Sequence, residues 1–490
     1  MSQQQQWNIS PAAGEGDASI RLSEVVGALS AALDITEGQP EGHAARSCMI
    51  GMRLADAIAL PADVRSDLFY ALLLKDLGCS SNAAKMCQLL GADDRTAKRD
   101  VKLVDWTSVV RSVGYLARTV LPGGPLGQRV AAFAQAARDM PAAAHDMVQT
   151  RCDRGALIAR QLMLSESTAE GIRSLDELWD GSGNPDRLKG DAIPLLSRIM
   201  NLAQTAEVFL AARGVDAMFA VVKRRSGSWF DPELAKAFRS TRKDAGLWAG
   251  LTVGTASGPL GPVVGGTSMA AVAAYEPADR VMVADPAALD RIAAGFAMVV
   301  DAKSPWTFKH SDGVAEISEG IARQLGCMPG HVQYIRRAAL LHDVGKLGVS
   351  NLILDKPAKL DPAELATMRR HPGYTHRILS RVRGFSALAD VAAAHHERID
   401  GKGYHRGAAG DAIPLPARIL AVADMYEALA AHRPYRQDLT AEDVMTILKR
   451  NVGGGLCPEV FEALCGWLSA SKYQAVKLDP AAAAPMKFAA

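Results

Sequence analysis

A histidine and an aspartate that are adjacent in the chain, His342 and Asp343, lie in the segment ALLHDVGKLG, with Lys346 four residues after the histidine. Such a pair offers one neutral nitrogen ligand and one carboxylate that is able to bridge two cations. A bridged pair of metal ions can bind and deprotonate a water molecule in line with a phosphorus atom. The spacing therefore indicates metal-dependent phosphoryl chemistry, with Asp343 and Lys346 as catalytic candidates.

A centre of this kind needs further ligands, and the rest of the sequence supplies them as histidines and one aspartate. These candidates are His310, His371, the adjacent pair His395 and His396, and Asp424. Nitrogen and oxygen ligands without thiolates suit iron, manganese or another divalent first-row ion better than a structural zinc. Lys346 is expected to neutralise charge on the transferring phosphate or to protonate the leaving oxygen.

Histidine is unevenly distributed along the chain. Of the 11 histidines, nine lie beyond residue 300, and only His43 and His145 precede it. Because histidine is the commonest metal ligand, this asymmetry places the predicted centre in the second half of the chain. His331, His376 and His432 are interpreted as packed or surface histidines.

Length and composition limit the classes of protein. The 490 residues are too many for one compact core, so two or three domains are expected. Near-balanced charge, 55 Lys plus Arg against 53 Asp plus Glu, provides no basic field for DNA or RNA. Seven scattered cysteines without CxxC pairs, and an amino terminus without a secretory pattern, favour the cytoplasm. Helical spacing of apolar residues predicts an all-α chain.

One uncharged stretch, residues 245–275, is long enough to cross a membrane but contains Gly and Pro throughout. Such interruptions make a poor spanning helix. The stretch is therefore predicted to belong to an interdomain linker at residues 246–293, and no membrane partner is expected.

The chain contains an internal duplication, visible at two different shifts in numbering. At the first shift, Lys75-Asp76-Leu77-Gly78 matches His342-Asp343-Val344-Gly345. At the second, GDAIPL at 190–195 recurs at 410–415. Because the second shift is the shorter one, the first copy holds additional residues between these anchors. They are placed within residues 81–141 as extra helices.

Residues 294–464 resemble an HD-GYP domain, the branch of the HD metal phosphohydrolases that hydrolyses bacterial cyclic dinucleotides. The resemblance rests on HDVGK at 342–346, HHER at 395–398, DGKGY at 400–404 and RPYR at 433–436. It implies tandem HD-type helical bundles and a site for two divalent ions, iron or manganese. The implied ligands are His310, His342, Asp343, His371, His395, His396 and Asp424, and the implied substrate contacts are Gly403, Tyr404, Arg433 and Arg436. Both arginines carry planar guanidinium groups that suit phosphates or guanine edges.

Two positions depart from the family pattern. His405 stands where the third letter of the GYP motif is proline. Trp306 stands where some relatives carry a glutamate that supports a third metal, which favours two metals here.

The first copy has lost most of the candidate ligands. The replacements are Lys75 for His342, Cys79 for Lys346, Leu175 and Asp176 for His395 and His396, and Gln204 for Asp424. Only His43 and Asp76 survive, and an amine at Lys75 opposes metal binding. This degenerate copy is expected to offer a dimerisation surface or a nucleotide pocket that serves a signalling partner, or else to be a structural remnant.

The predicted boundaries follow from the duplication. They are a tail at 1–20, a degenerate domain at 21–245, the linker at 246–293, a catalytic domain at 294–475 and a tail at 476–490. The main functional prediction is hydrolysis of cyclic di-GMP to linear pGpG, with GMP as a further product, in bacterial signalling. One alternative keeps the mechanism but takes the hybrid cyclic GMP-AMP, and another is an adaptor that binds a cyclic dinucleotide without cleaving it.

Overall fold

The computed structural model describes residues 20–251, 255–258, 261–264, 269–307, 309–382, 385–431, 439–471 and 473. These residues form two compact units. The first unit contains residues 20–288 and 350–352, and the second unit contains 289–349 and 353–473. Secondary structure in the described ranges is almost entirely helical, which confirms the predicted all-α fold. The predicted tail at 476–490, and all but the last residue of the tail at 1–20, lie outside these ranges.

Thirteen α-helices are described before residue 286. They are α1 (Leu22–Thr36), α2 (His43–Ala57), α3 (Ala62–Leu74), α4 (Ala83–Leu90), α5 (Asp94–Val101), α6 (Val109–Thr119), α7 (Leu126–Gln161), α8 (Glu166–Arg173), α9 (Leu195–Arg213), α10 (Val215–Arg225), α11 (Pro232–Ser240), α12 (Ala245–Leu251) and α13 (Met269–Ala273). Helix α4, helix α5 and helix α6 all lie within 81–141, the range predicted to hold the additional residues.

Ten α-helices are described from residue 286 onwards. They are α14 (Pro286–Asp301), α15 (His310–Gln324), α16 (Pro329–Leu341), α17 (Asn351–Leu354), α18 (Pro362–Met368), α19 (His371–Leu379), α20 (Ser386–Ala393), α21 (Leu415–Ala430), α22 (Ala441–Asn451) and α23 (Pro458–Ala470). Local sequence explains several of the starts. Asp361 and Glu364 form a capping box at α18, with Pro362 in the first turn, and Thr440 and Asp443 do the same at α22.

Two short antiparallel strands interrupt the helical pattern within the predicted linker. They are β1 (Thr255–Gly258) and β2 (Gly261–Val264), paired with Thr255 opposite Val264. These strands were not predicted from the sequence, because TASG and GPVV show no alternation of apolar and polar residues. None of the described helices combines the length and hydropathy needed to cross a bilayer, and all seven cysteines are free thiols.

The two units repeat the same succession of helices. At the first shift of the duplication, helices α2 and α3 correspond at both ends to α15 and α16, and at the second shift α8 corresponds to α20. Helices α10 and α22 have equal lengths but follow a third shift, in which Val215 corresponds to Ala441. This third shift was missed in the sequence, because few side chains are identical in that part of the two copies.

The turn that contains His342 and Asp343 packs closely against the backbone at the start of α19. A Cβ added to Gly345 would lie 2.0 Å from the carbonyl oxygen of His371 at the start of α19. The Thr375 hydroxyl donates to the His342 carbonyl (2.8 Å) and accepts from the Gly345 amide (3.0 Å). The first unit repeats this approach at Gly78. Only glycine fits here, so the turn and α19 are locked together.

We predict that Gly345→Ala lowers the free energy of unfolding by about 2 kcal/mol, because the added methyl forces two backbone segments apart. Gly330→Ala is the matched control, since a Cβ at Gly330 in helix α16 would meet nothing within 4 Å. Chemical denaturation of both variants measures the difference. Equal stability of the two variants would show that the approach is not a structural constraint.

Candidate metal centre

Six of the seven candidate ligands lie at helix ends. His310 and His371 are the first residues of α15 and α19, His342 and Asp343 follow α16, and His395 and His396 follow α20. Asp424 lies within α21. The structure brings all seven together, in three overlapping groups whose donor atoms lie within 4.8 Å of one another.

The Asp343 carboxylate is at the centre of the cluster, and each of its oxygens faces a different pair of histidines. Oδ2 lies 3.6 Å from Nε2 of His310 and 3.3 Å from Nε2 of His342. Oδ1 lies 3.4 Å from Nε2 of His371 and 3.7 Å from Nε2 of His395. This is the arrangement expected of a carboxylate that bridges two cations.

The two remaining candidates close the cluster. Asp424 Oδ1 lies 3.3 Å from His310 Nε2 and 3.8 Å from His342 Nε2. The His396 ring centroid is 4.1 Å from that of His395. Asp424 and His396 are partly exposed, whereas the other five candidates are buried, so the cluster opens to solvent on their side.

Helix ends orient three of the imidazole rings. The Nδ1 atoms contact the carbonyl oxygens of Ala339 for His342 (2.6 Å), Met368 for His371 (2.8 Å) and Ala392 for His395 (2.6 Å). These carbonyls belong to the last turns of α16, α18 and α20, where no intrahelical donor is available. A neutral ring that donates through Nδ1 presents an unprotonated Nε2.

The donor atoms therefore fit cations. The Nε2 atoms of His371 and His395 are 3.2 Å apart, and neither carries a proton to donate. His342 Nε2 and Asp343 Oδ1 are buried without a hydrogen-bond partner in the described chain. Buried lone pairs that converge without a donor are unfavourable, and a pair of divalent ions at this place would satisfy them.

Electrostatics favours the metal-binding protonation states of His371, His395, His396 and Asp343. For His310 and His342 burial lowers the pKa, but Glu427 and Asp343 respectively outweigh it and raise the pKa above its usual range. Burial lowers the pKa of His371 to about 3 and that of His396 to about 4, and it keeps the pKa of His395 well below its usual range. Burial opposes ionisation of Asp343, but His342 and Lys346 outweigh it and hold the pKa of this carboxyl well below normal. Neutral imidazoles and an ionised carboxylate are the forms that bind metal.

Glu427 is a residue of the site that the sequence analysis missed. It lies one turn after Asp424 on α21, and its Oε2 makes a short hydrogen bond with His310 Nδ1. Glu207 makes the same contact with His43 in the first unit. Because Glu207 corresponds to Glu427 at the second shift of the duplication, that shift would have revealed the pair.

Lys346 and Tyr404 lie where the cluster opens. The Lys346 ammonium is bonded to Asp343 Oδ2, and its side chain is 22% exposed. The half-buried Tyr404 ring is 4.7 Å from the His396 ring, with 32° between the planes. Both side chains therefore adjoin the candidate ligands.

The other predicted substrate contacts are placed differently. A Cβ at Gly403 would lie 2.6 Å from Cα of Glu397, so this glycine packs within its loop. Arg433 and Arg436 lie outside the described residues, as does His432, and the roles given to all three stay predictions.

The two departures from the family pattern are near site residues in the chain, His405 next to Tyr404 and Trp306 four residues before His310. His405 is exposed and has a backbone φ of 109°, in the region that favours glycine. Its ring is 5.9 Å from that of His376, which is not a candidate ligand. Trp306 lies in the 3₁₀ turn Pro305–Thr307 before His310. At the second shift, Pro185 of the first copy aligns with His405.

In the first unit, ammonium groups contact the carboxylate that survives. Lys75 forms a buried ion pair with Asp76. Lys102 Nζ lies 3.6 Å from Asp76 Oδ1 and 2.8 Å from Glu37 Oε2. The interpretation of Lys75 as a cation at the position of a ligand agrees with this geometry.

A second ion pair replaces two further ligands. Arg151 and Asp176 are in contact, and at the second shift they align with His371 and His396. Glu37, Asp76 and Cys79 are close enough together to bind an ion. However, burial, with Glu37 and Asp76, raises the pKa of the Cys79 thiol far above normal, and lysines neutralise both carboxylates. This group does not fit a metal.

A sequence model of the HD domain matches residues 125–234 and 296–456, one range in each copy. The chain belongs to the HD domain family. The predicted HD-GYP resemblance and the predicted enzyme class, a metal-dependent phosphodiesterase, are confirmed by the family and by its relatives. The HD domain family is metal-dependent, which agrees with the seven converging donors.

Relatives of the chain act on cyclic dinucleotides. The chain is 42% identical to the 3'3'-cGAMP-specific phosphodiesterase 3 of Vibrio cholerae, over 90% of this chain and 94% of the relative. A crystal structure of a cyclic GMP-AMP specific phosphodiesterase of V. cholerae superposes with a TM-score of 0.61 at 37% identity, covering 92% of this chain and 98% of that one. The cyclic di-GMP phosphodiesterase response regulator RpfG of Xanthomonas campestris is 36% identical over 34% of this chain and 45% of its own.

We predict that Glu427→Gln weakens Mn²⁺ binding by about 10- to 100-fold, because His310 loses the carboxylate that orients its ring. Glu207→Gln removes the same contact in the first unit and serves as the matched control, with unchanged metal affinity. Titration of metal-free protein with Mn²⁺ measures both. Equal losses in the two variants, or none in either, would contradict the assignment.

Proposed function

We propose that the chain hydrolyses a phosphodiester bond of 3'3'-cyclic GMP-AMP, using two divalent ions held by the second unit. This substrate was the alternative in the sequence analysis, where cyclic di-GMP was the main prediction. The observation that carries the proposal is the similarity to the V. cholerae 3'3'-cGAMP-specific phosphodiesterase 3 through both copies of the duplication. The cyclic di-GMP phosphodiesterase RpfG aligns over only about a third of the chain.

The proposed ligands form two sets that share Asp343. His310, His342 and Asp424 face Oδ2 of Asp343 or lie beside it, and His371, His395 and His396 are grouped on the side of Oδ1. When bound there, two divalent ions supply Lewis-acid activation of the phosphodiester and of the attacking water. Iron or manganese is proposed, since every donor is nitrogen or oxygen.

The remaining roles belong to residues of the chain around this centre. Lys346 is proposed to hold a proton near the leaving oxygen, because its ammonium is at the open side of the cluster and within reach of Asp343. Arg433 and Arg436 are proposed to bind phosphate or guanine edges of the substrate. Burial of His371, His395 and Asp343 excludes water from the ligand atoms and strengthens their charge interactions.

The first unit is proposed to be a metal-free copy. Where the second unit is proposed to bind metal ions, the first unit has the ammonium groups of Lys75 and Lys102 and the guanidinium of Arg151. These cations already pair with carboxylates. Burial of Lys75 and Asp76 favours a structural role over a nucleotide pocket at this place. A dimer interface or a surface for a signalling partner elsewhere on this unit stays a prediction.

We predict that protein loaded with Mn²⁺ or Fe²⁺ hydrolyses 3'3'-cyclic GMP-AMP at least about tenfold faster than cyclic di-GMP, a difference of roughly 1.4 kcal/mol in activation free energy. The Asp343→Asn variant should lose the activity together with its metal, whereas Asp76→Asn, the equivalent change in the first unit, should retain the bound metal. Chromatography of the products and metal analysis measure these outcomes. Faster hydrolysis of cyclic di-GMP would reverse the choice of substrate, and no turnover of either by fully metallated protein would exclude the proposed activity.

A further inference from the structure

An exposed arginine lies at the rim of the candidate centre, over the tyrosine that stacks on a proposed ligand. Arg369 Cζ is 5.4 Å from the centroid of the Tyr404 ring. That ring lies 4.7 Å from His396 and, edge-on, 6.4 Å from His371. The guanidinium is thus connected to the centre through a single aromatic side chain.

Within the part of the chain that the structure describes, the charge of Arg369 has no counter-ion. Among the described residues, no carboxylate lies within ion-pair distance of it, and its side chain is exposed. Other arginines near this loop are paired, Arg398 with Asp400 and Arg406 with Asp390. An unpaired cation at the rim of an anion-binding centre is available to a ligand.

The backbone at this position is fixed rather than loose. Arg369 caps the end of α18, where its amide donates to the Leu365 carbonyl (2.9 Å). Two residues later the His371 ring is bonded to the Met368 carbonyl. The placement of the arginine is therefore set by the same helix end that orients a proposed metal ligand.

We infer that Arg369 is a substrate-binding residue that contacts the second, uncleaved phosphate of the cyclic dinucleotide. The inference rests on the proposed function, since a cyclic dinucleotide carries two phosphodiesters and only one is at the centre during cleavage. The other keeps its negative charge and needs a partner. A planar guanidinium, held over the Tyr404 face by a cation–π contact, suits a phosphate through two parallel hydrogen bonds.

The test compares Arg369→Ala with Arg370→Ala. Arg370 is the neighbouring exposed arginine, and among the described residues it contacts neither a carboxylate nor an aromatic ring. Two substrates are used: 3'3'-cyclic GMP-AMP, and bis(p-nitrophenyl) phosphate, which has a single phosphodiester. Loss of a hydrogen bond to a charged group is expected to raise KM for the dinucleotide about 10- to 100-fold. The kcat, the metal content and the rate on bis(p-nitrophenyl) phosphate should remain within about twofold of the unmodified protein, and Arg369→Lys should restore part of the affinity.

Three results would overturn the inference, and each is distinct. Equal KM values for Arg369→Ala and Arg370→Ala would show that Arg369 does not bind substrate. Equal losses on both substrates would show that it acts by positioning Tyr404 or His371. Hydrolysis of bis(p-nitrophenyl) phosphate, but of no cyclic dinucleotide, by the unmodified protein would exclude the proposed function itself.

Discussion

The site depends on one constraint, the convergence of unprotonated donor atoms around a buried carboxylate. Three helix ends supply carbonyl oxygens that contact the imidazole Nδ1 atoms, so the three Nε2 atoms face inwards and are unprotonated when the rings are neutral. The Asp343 carboxylate lies between them and is buried. Without a cation these lone pairs repel one another. A bound metal ion would remove this repulsion, so the fold favours binding of an ion from solution. The Gly345 approach and the Thr375 hydroxyl keep the His–Asp turn where this convergence occurs.

In the first unit, side chains of the protein neutralise the buried charge that remains at the corresponding place. Its surviving carboxylate, Asp76, is neutralised by two lysines, and an Arg–Asp pair takes the positions of two histidines. Buried charges need partners, and here the partners are side chains, whereas in the second unit we propose that they are metal ions. A His–Glu contact is present in both units, as His43–Glu207 in the first and His310–Glu427 in the second. Its presence in the unit proposed to be metal-free indicates that it supports the fold as well as the proposed ligand. Duplication therefore preserved the helices while the charge balance of the two interiors diverged.

Much of the fold and of the cluster could be predicted from the sequence. Residue types at family spacing were sufficient to choose His342, Asp343 and the other five candidates. Six of the seven lie at helix ends, and Asp424 lies within α21. Glu427 and Arg369 were missed because their contacts, to His310 and to Tyr404, join residues that are distant in the chain or carry no motif. Strands β1 and β2 were not predicted because their residues show no alternation of apolar and polar types. Substrate choice was beyond the sequence motifs, since both candidate substrates share the same phosphodiester.

We propose that two metal ions lie between the seven donors of the second unit and that the first unit holds none. Anomalous X-ray scattering from crystals of the full chain grown with Mn²⁺, measured at the manganese edge, tests this proposal. We expect two peaks within coordination distance of Asp343, one near His310 and His342 and one near His371 and His395. The proposal also requires that no peak lies at Glu37, Asp76 and Cys79. A peak at that first-unit cluster, or none around Asp343 in metal-loaded crystals, would contradict it.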